Sequence, residues 1–437
     1  MTGYVVLVLI ELLLLWIAYR TLKDILAPAF ISIFTFLCST LLCLPMVSMW
    51  EMVVYKETVT VVTLGLLCMI LACRLNMKPR TRKSYSPVLN YIDVPSGKSV
   101  LLIIVCVWLT FYYIYAVVKA GQSIGADGGL EAITAVKQAD DVEVDFVAKQ
   151  GVKVVFALSY VHLYLFVNNV VNKSCVGKEM HHLIPSVCLF LCCIFTGVRT
   201  DMLKLVSAGL FMTILLMRYK KNKLGRFMRR ILIGIIVVAF AGGALNTLNK
   251  GEGASINNAY SIGQIVAYYI GSPIQVLNMK LKDGTENYRD KTIWGRTTFS
   301  RQYIELDRFG IYKTKIGDKK GSMNVMLDER NNVVANVDTI LGPPLIDFGL
   351  CGMLLYIFLL YWGISWCYYD KVQRTSNPQK KAVNIILYSF FVVIPVMAYY
   401  ACLPNLILTF PYLVEALIIY MICKFYFRQS LFIQYHD

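Results

Sequence analysis

Charge is scarce in this chain. Asp, Glu, Lys and Arg make up 16% of its 437 residues, against 57% hydrophobic ones, a balance that excludes an ordinary soluble domain. Histidine is scarcer still, with four copies. His162 falls inside an apolar run, His181 and His182 fall beside a basic loop, and His436 lies at the chain end. Acid–base work on the far side of a membrane would therefore fall to carboxylates. Strict polar–apolar alternation is missing, which argues against a membrane β-barrel. A glycine-rich nucleotide loop is also missing, so nothing points to ATP or an NAD-type cofactor. Thirteen cysteines are present, nearly all in apolar segments, such as Cys38, Cys43, Cys188, Cys192 and Cys193; none lies between 249 and 340, and no CxxC pair occurs. The thiols read as small buried apolar groups, with neither a disulfide framework nor a metal site expected. No internal repeat is evident, so the inverted-repeat signature of many transporters is not visible.

What the chain has instead is a series of eleven apolar runs: 3–19, 26–47, 58–74, 99–119, 151–171, 183–198, 202–217, 231–248, 342–368, 382–400 and 407–425. A helix of about twenty residues crosses a ~30 Å hydrocarbon core. The expected fold class is therefore an all-α polytopic membrane protein of about eleven transmembrane helices. The first run has no basic flank before it and no small-residue cleavage site after it, so it reads as a retained helix. Lysine and arginine concentrate in alternate loops, as at Arg80, Arg82 and Lys83, at Lys220, Lys221 and Lys223, and at Lys380 and Lys381. The +16 net charge thus follows topology and does not point to nucleic acid. The positive-inside rule places those loops in the cytoplasm, the N-terminus outside and the C-terminus inside.

The expected organisation is 1–248 as helices one to eight with an outer loop at 120–150, 249–340 as a large extracytoplasmic loop, and 341–437 as the last three helices and the cytoplasmic terminus. In the 120–150 outer loop, Leu130–Gln138 reads as a helix and Asp140–Asp141 as a solvated loop end rather than a metal site. In the large loop, Asn257–Met279 reads as a helix lying at the membrane interface and broken at Gly271–Pro273.

The large loop carries Arg289, Arg296, Arg301, Arg308 and Arg330 on what the charge count makes the outer face. Arg296, Arg301 and Arg308 form a spaced basic series able to clamp a pyrophosphate, although each alone reads as a solvated surface residue. Arg199 sits in the tight outer turn between the sixth and seventh runs. An arginine costs roughly 2.5–3.5 kcal/mol at a membrane helix centre. Its guanidinium matches phosphate in a bidentate fork. The alternatives for Arg199 are snorkelling or pairing with Asp201. Asn336, Asp338, Thr339 and Asp347 cluster around Gly342-Pro343-Pro344, where irregular backbone facing a cavity is favoured and a carboxylate is able to deprotonate a sugar hydroxyl. Asp347 also reads as packing polarity at the helix start. Glu11 and Glu415 lie mid-run and read as bonds to a neighbouring helix.

The stretch Ala335-Asn-Val-Asp-Thr-Ile-Leu-Gly-Pro-Pro-Leu-Ile-Asp-Phe-Gly-Leu-Cys-Gly352 resembles the membrane re-entry of Wzy-type O-antigen and oligosaccharide repeat-unit polymerases. Thr196-Gly-Val-Arg-Thr-Asp-Met-Leu203 resembles that family's small-residue–Arg–x3–Leu motif, and Tyr268-Tyr-Ile-Gly-Ser-Pro-Ile-Gln-Val-Leu277 its early large-loop pattern. The resemblance covers about forty residues in motif and the whole chain in architecture. It implies a fold related to C-type glycosyltransferases and polymerisation of undecaprenyl-pyrophosphate-linked units (O-antigen of lipopolysaccharide, capsule or exopolysaccharide) at the outer face of a bacterial inner membrane. It also implies no metal or cofactor, with a lipid-linked oligosaccharide, membrane lipid and a chain-length regulator as partners. Arg199 would then face the pyrophosphate, with Asp338 and Asp347 as candidate bases and Arg296, Arg301, Arg308, Asn336, Thr339 and Tyr268 as substrate contacts. Related ligases carry an outer-loop histidine near the re-entry point, where this chain has Asp338. A glycan ligase and a lipid-linked oligosaccharide flippase remain the alternatives.

Overall fold

A computed structural model describes residues 2–77, 91–128, 132–133, 135–136, 144–172, 175–196, 199–220, 262–312, 325–328, 333–335 and 337–427. Ten helices among them are long and apolar enough to cross a membrane. They coincide with ten of the eleven expected runs; the eleventh, 231–248, lies outside the described residues, as do Asp140, Asp141 and most of Leu130–Gln138.

The chain divides into two compact units, interleaved in sequence: Met1–Thr81, Gly251–Gln373 and Val393–Tyr412 form the first, and Arg82–Lys250, Arg374–Val392 and Leu413–Asp437 the second. In the first unit, α1 (Thr2–Leu22), α2 (Pro28–Leu42) and α3 (Lys56–Asn76) pack together. The second unit is built on α4 (Ser96–Gln122), α5 (Phe146–Val171), α6 (Ile184–Thr196) and α7 (Arg199–Lys220). Helix α5 is apolar on nearly every side, and its side chains are buried almost throughout, which marks it as the centre of that unit. Asp145 caps it, its carboxylate accepting from Ala148 N at 3.0 Å.

The polar stretch adds α8 (Ile262–Asp283), α9 (Ser300–Arg308) and a two-stranded antiparallel hairpin, β1 (Val325–Asp328) with β2 (Val333–Ala335). Helix α8 corrects the expectation of a break at Gly271–Pro273. It runs unbroken through Pro273 and packs against α2 and α3, with Gly271–Asn278 buried. Proline withholds one backbone donor from the turn before it. There Ser39 Oγ donates to Ile270 O at 2.7 Å, and Cys43 Sγ to Gly271 O at 3.0 Å. A side chain at position 271 would overlap Cys43, so glycine sets how closely the two helices approach.

Three further helices complete the chain: α10 (Gly342–Trp366), α11 (Pro378–Phe391) and α12 (Phe410–Phe427). Helix α10 is interrupted at Gly349, whose φ of 67° suits a residue without Cβ. The short turn before the break carries Asp347 and Phe348, and the apolar crossing helix follows it. Two buried carboxylates find partners in other segments: Glu11 of α1 accepts from Thr40 Oγ1 at 3.0 Å, and Asp24, just past α1, from Tyr368 Oη at 2.9 Å and Gln373 Nε2 at 2.7 Å.

Candidate functional site

The entry to α10 collects the polar chemistry of the first unit. Asp338 lies four residues before the helix, and its carboxylate meets Lys280 from the last turn of α8, Nζ to Oδ2 at 3.1 Å. Both side chains are buried, with 2% of the lysine and 6% of the aspartate exposed. Thr339 N donates to Asp338 Oδ1 at 2.7 Å, so each carboxylate oxygen has a partner. Gly342 sits directly against this carboxylate, and any side chain there would overlap it. Burial raises the Asp338 carboxyl above its ordinary range, with the Lys280 charge and the Thr339 amide opposing the rise. The Lys280 ammonium also lies 5.5 Å from the ring centroid of Tyr288. Burial pushes the Tyr288 phenol up to about 12, aided by its hydrogen bond to Asp283 Oδ2 at 2.8 Å.

Asp347 is nine residues further on and differently held. It is 2% exposed and accepts from Thr297 N at 3.3 Å, Thr298 N at 2.6 Å and Thr298 Oγ1 at 2.7 Å. Those neutral donors come from the loop ahead of α9, so Asp347 ties that loop to α10, the packing role its place at the helix start also allowed. Tyr268 and Thr339 are also turned inward. The Tyr268 hydroxyl donates to Val334 O at 2.6 Å, and its ring lies edge-on to Trp50 and Tyr269. Thr339 is fully buried, and its hydroxyl accepts from Leu341 N at 3.3 Å.

The arginines differ in their immediate partners. Arg296 is ion-paired with Asp290. Burial works to raise the Asp290 carboxyl, but hydrogen bonds from Thr292 and Arg296 outweigh it and hold the group below the usual carboxylate range. Arg301 and Arg308 are exposed on α9, seven residues apart and therefore on one face. Arg199 is the first residue of α7, in the second unit; its side chain lies outside the described residues, as do Asn336 and Arg330.

Lys280 is the residue that sequence reading missed. A lysine near a helix end in a mixed-charge stretch looks solvated, and only the folding of α8 into the bundle buries it. Lys204 is a second case: its ammonium donates to Asp201 Oδ1 at 2.6 Å, with 1% of the side chain exposed. The histidines form a third. His162 Nε2 lies 2.8 Å from Tyr426 Oη, and His162 Nδ1 lies 3.0 Å from His182 Nδ1. His182 Nε2 lies 3.6 Å from Glu179, whose carboxylate accepts from Asn169 Nδ2 at 2.9 Å and Tyr91 Oη at 3.2 Å. Among the described residues, no group of three His, Cys, Asp or Glu side chains is arranged to hold a metal ion. No family model, curated protein or solved structure matches the chain.

Proposed function

We propose that this chain polymerises oligosaccharide repeat units carried on undecaprenyl pyrophosphate, as an inverting glycosyltransferase that needs no metal, at the outer face of a bacterial inner membrane. The observation that carries the reading is the buried Lys280–Asp338 pair at the start of α10. An acceptor hydroxyl gives its proton to Asp338 as its oxygen bonds to the donor's anomeric carbon. The bond from that carbon to the pyrophosphate breaks, and undecaprenyl pyrophosphate leaves with the electron pair. A base matched to neutral pH suits the first event, and the upward shift of the Asp338 carboxyl is in that direction. Pyrophosphate is already a good leaving group, so the remaining requirement is cationic stabilisation and positioning. Arg199 is the arginine assigned to that role, with a chain-length regulator as a further partner.

Deleting the gene and separating the surface glycan on a gel tests the reading. A ladder reduced to a product capped with one repeat unit is expected. In the deletion strain, Asp338→Asn and Arg199→Ala should each restore less polymer than the wild type; an unchanged ladder from Arg199→Ala would remove that residue from the mechanism.

A flippase is the second reading, and one observation favours it. The buried chain Tyr426–His162–His182–Glu179 places ionisable groups inside membrane-crossing segments, where proton relays of transporters are found. Loss of every repeat unit from the surface on deletion would select it.

A further inference from the structure

Residues 294–312 sit across the ends of two membrane-crossing helices. The Trp294 ring packs 4.7 Å from Phe348, which directly precedes the Gly349 break of α10. Gly295, with φ 65°, makes the turn, and a side chain there would press on Phe299 and Phe348. At the other end, Phe309 lies edge-on to Phe410, the first residue of α12, at 5.8 Å. Glu305 accepts from Phe410 N at 2.9 Å, and Gln302 Nε2 donates to Leu408 O at 3.0 Å. Tyr303 joins the two ends, donating to Trp294 O at 2.7 Å with its ring 5.8 Å from Tyr312.

The starts of α10 and α12 fix the depth of this segment, because an apolar crossing helix begins where hydrocarbon meets headgroups. At that depth the segment exposes Trp294 (70%), Phe309 (60%), Ile311 (72%) and Tyr312 (46%). Large apolar side chains this open are unfavourable in water and favourable at a bilayer interface, where tryptophan and tyrosine concentrate. The described residues 289–312 carry five Lys and Arg against three Asp and Glu, and Arg296 and Asp290 cancel as an ion pair. Glu305 is bound to the Phe410 amide, while Arg301 and Arg308 are exposed on one face of α9.

We propose that 294–312 is an interfacial anchor, which seats Trp294, Phe309 and Ile311 in the headgroup layer of one leaflet and sets Arg301 and Arg308 against anionic phospholipid. Basic side chains close to an anionic lipid surface are attracted to it. The proposal stands apart from the polymerase reading, since a flippase would be anchored in the same way.

The test uses the full chain in nanodiscs of phosphatidylcholine or phosphatidylglycerol, brominated near the headgroup. The emission lost on Trp294→Phe, a change that keeps a ring against Phe348, isolates Trp294 from the other five tryptophans. Quenching of that emission by brominated lipid is expected, stronger with phosphatidylglycerol, and the double change Arg301→Gln/Arg308→Gln should abolish the lipid preference while leaving the quenching. Emission quenched by aqueous iodide and untouched by either brominated lipid would overturn the anchor. Equal quenching by the two lipids in the wild type would overturn the anionic preference. Neither result bears on the glycan ladder, so failure of the anchor and failure of the polymerase reading are separable.

Discussion

The entry of α10 and the core around α5 both bury ionisable side chains, but they make them tolerable in different ways. At α10, Lys280 and Asp338 meet as opposite charges with almost no water. Around α5, Tyr426, His162 and His182 form a chain that neutral groups can satisfy, because a neutral imidazole has one donor and one acceptor nitrogen and a phenol can serve as either. A buried charge that loses its partner is far costlier than a neutral group that loses a hydrogen bond. A pair of opposite charges is therefore a fragile way to hold a fold together. The neutral chain is a cheaper way to join the 176–183 turn, α5 and α12.

Asp338→Ala should have the largest effect. It strands the Lys280 ammonium, at a cost of about 3–5 kcal/mol by the behaviour of broken buried pairs, visible as a lower thermal midpoint in detergent. The glycan ladder should also be lost. Adding Lys280→Met should recover most of the midpoint and none of the ladder, whereas a ladder that returned with stability would make the pair purely structural. His162→Phe comes next, with a cost of about 1–3 kcal/mol from the polar groups left unpaired and a ladder of normal length. Complete loss of surface repeat units from that variant would transfer function to the α5 region. Gly342→Ala should cost about 1–3 kcal/mol by overpacking and should shorten the ladder, because its new methyl displaces the Asp338 carboxylate from Lys280.

The smallest effect is the most discriminating, and it is a pH dependence. The folded-state carboxyl of Asp338 is raised, so its contribution to stability is full below the unfolded value of about 3.9 and is lost as pH rises through the folded value. Activity that needs the ionised base rises over the same interval. Midpoint and transfer rate should therefore move in opposite directions along this limb, and Asp338→Asn should remove the stability component. Parallel movement of the two in the wild type would contradict the assignment of Asp338 as base.

Hydrophobic runs made the helices legible, because a crossing segment must satisfy its backbone within itself and must be apolar over its whole length. The site was legible only in part. Asp338 and Asp347 stand out equally as carboxylates at a Gly-Pro-Pro entry, and nothing local distinguishes the one held by a lysine from the one held by two threonines. Lys280 is separated from Asp338 by 58 residues. Pro273 looked like a break because its missing donor is local, whereas Ser39 and Cys43, which pair with the carbonyls beside it, come from another helix.

The sequence by itself determined that the chain is a helical membrane protein, where ten of its crossing segments lie and that Asp338 and Asp347 stand at the entry to α10. These follow from solvation along the chain, which each segment meets alone. Only the tertiary structure decided that α8 enters the bundle, that Lys280 becomes the partner of Asp338, that Asp347, Tyr268 and Thr339 turn inward, and that the scattered histidines meet. Those outcomes depend on which distant group fills a buried partner's hydrogen bonds and charge, and that is set by packing.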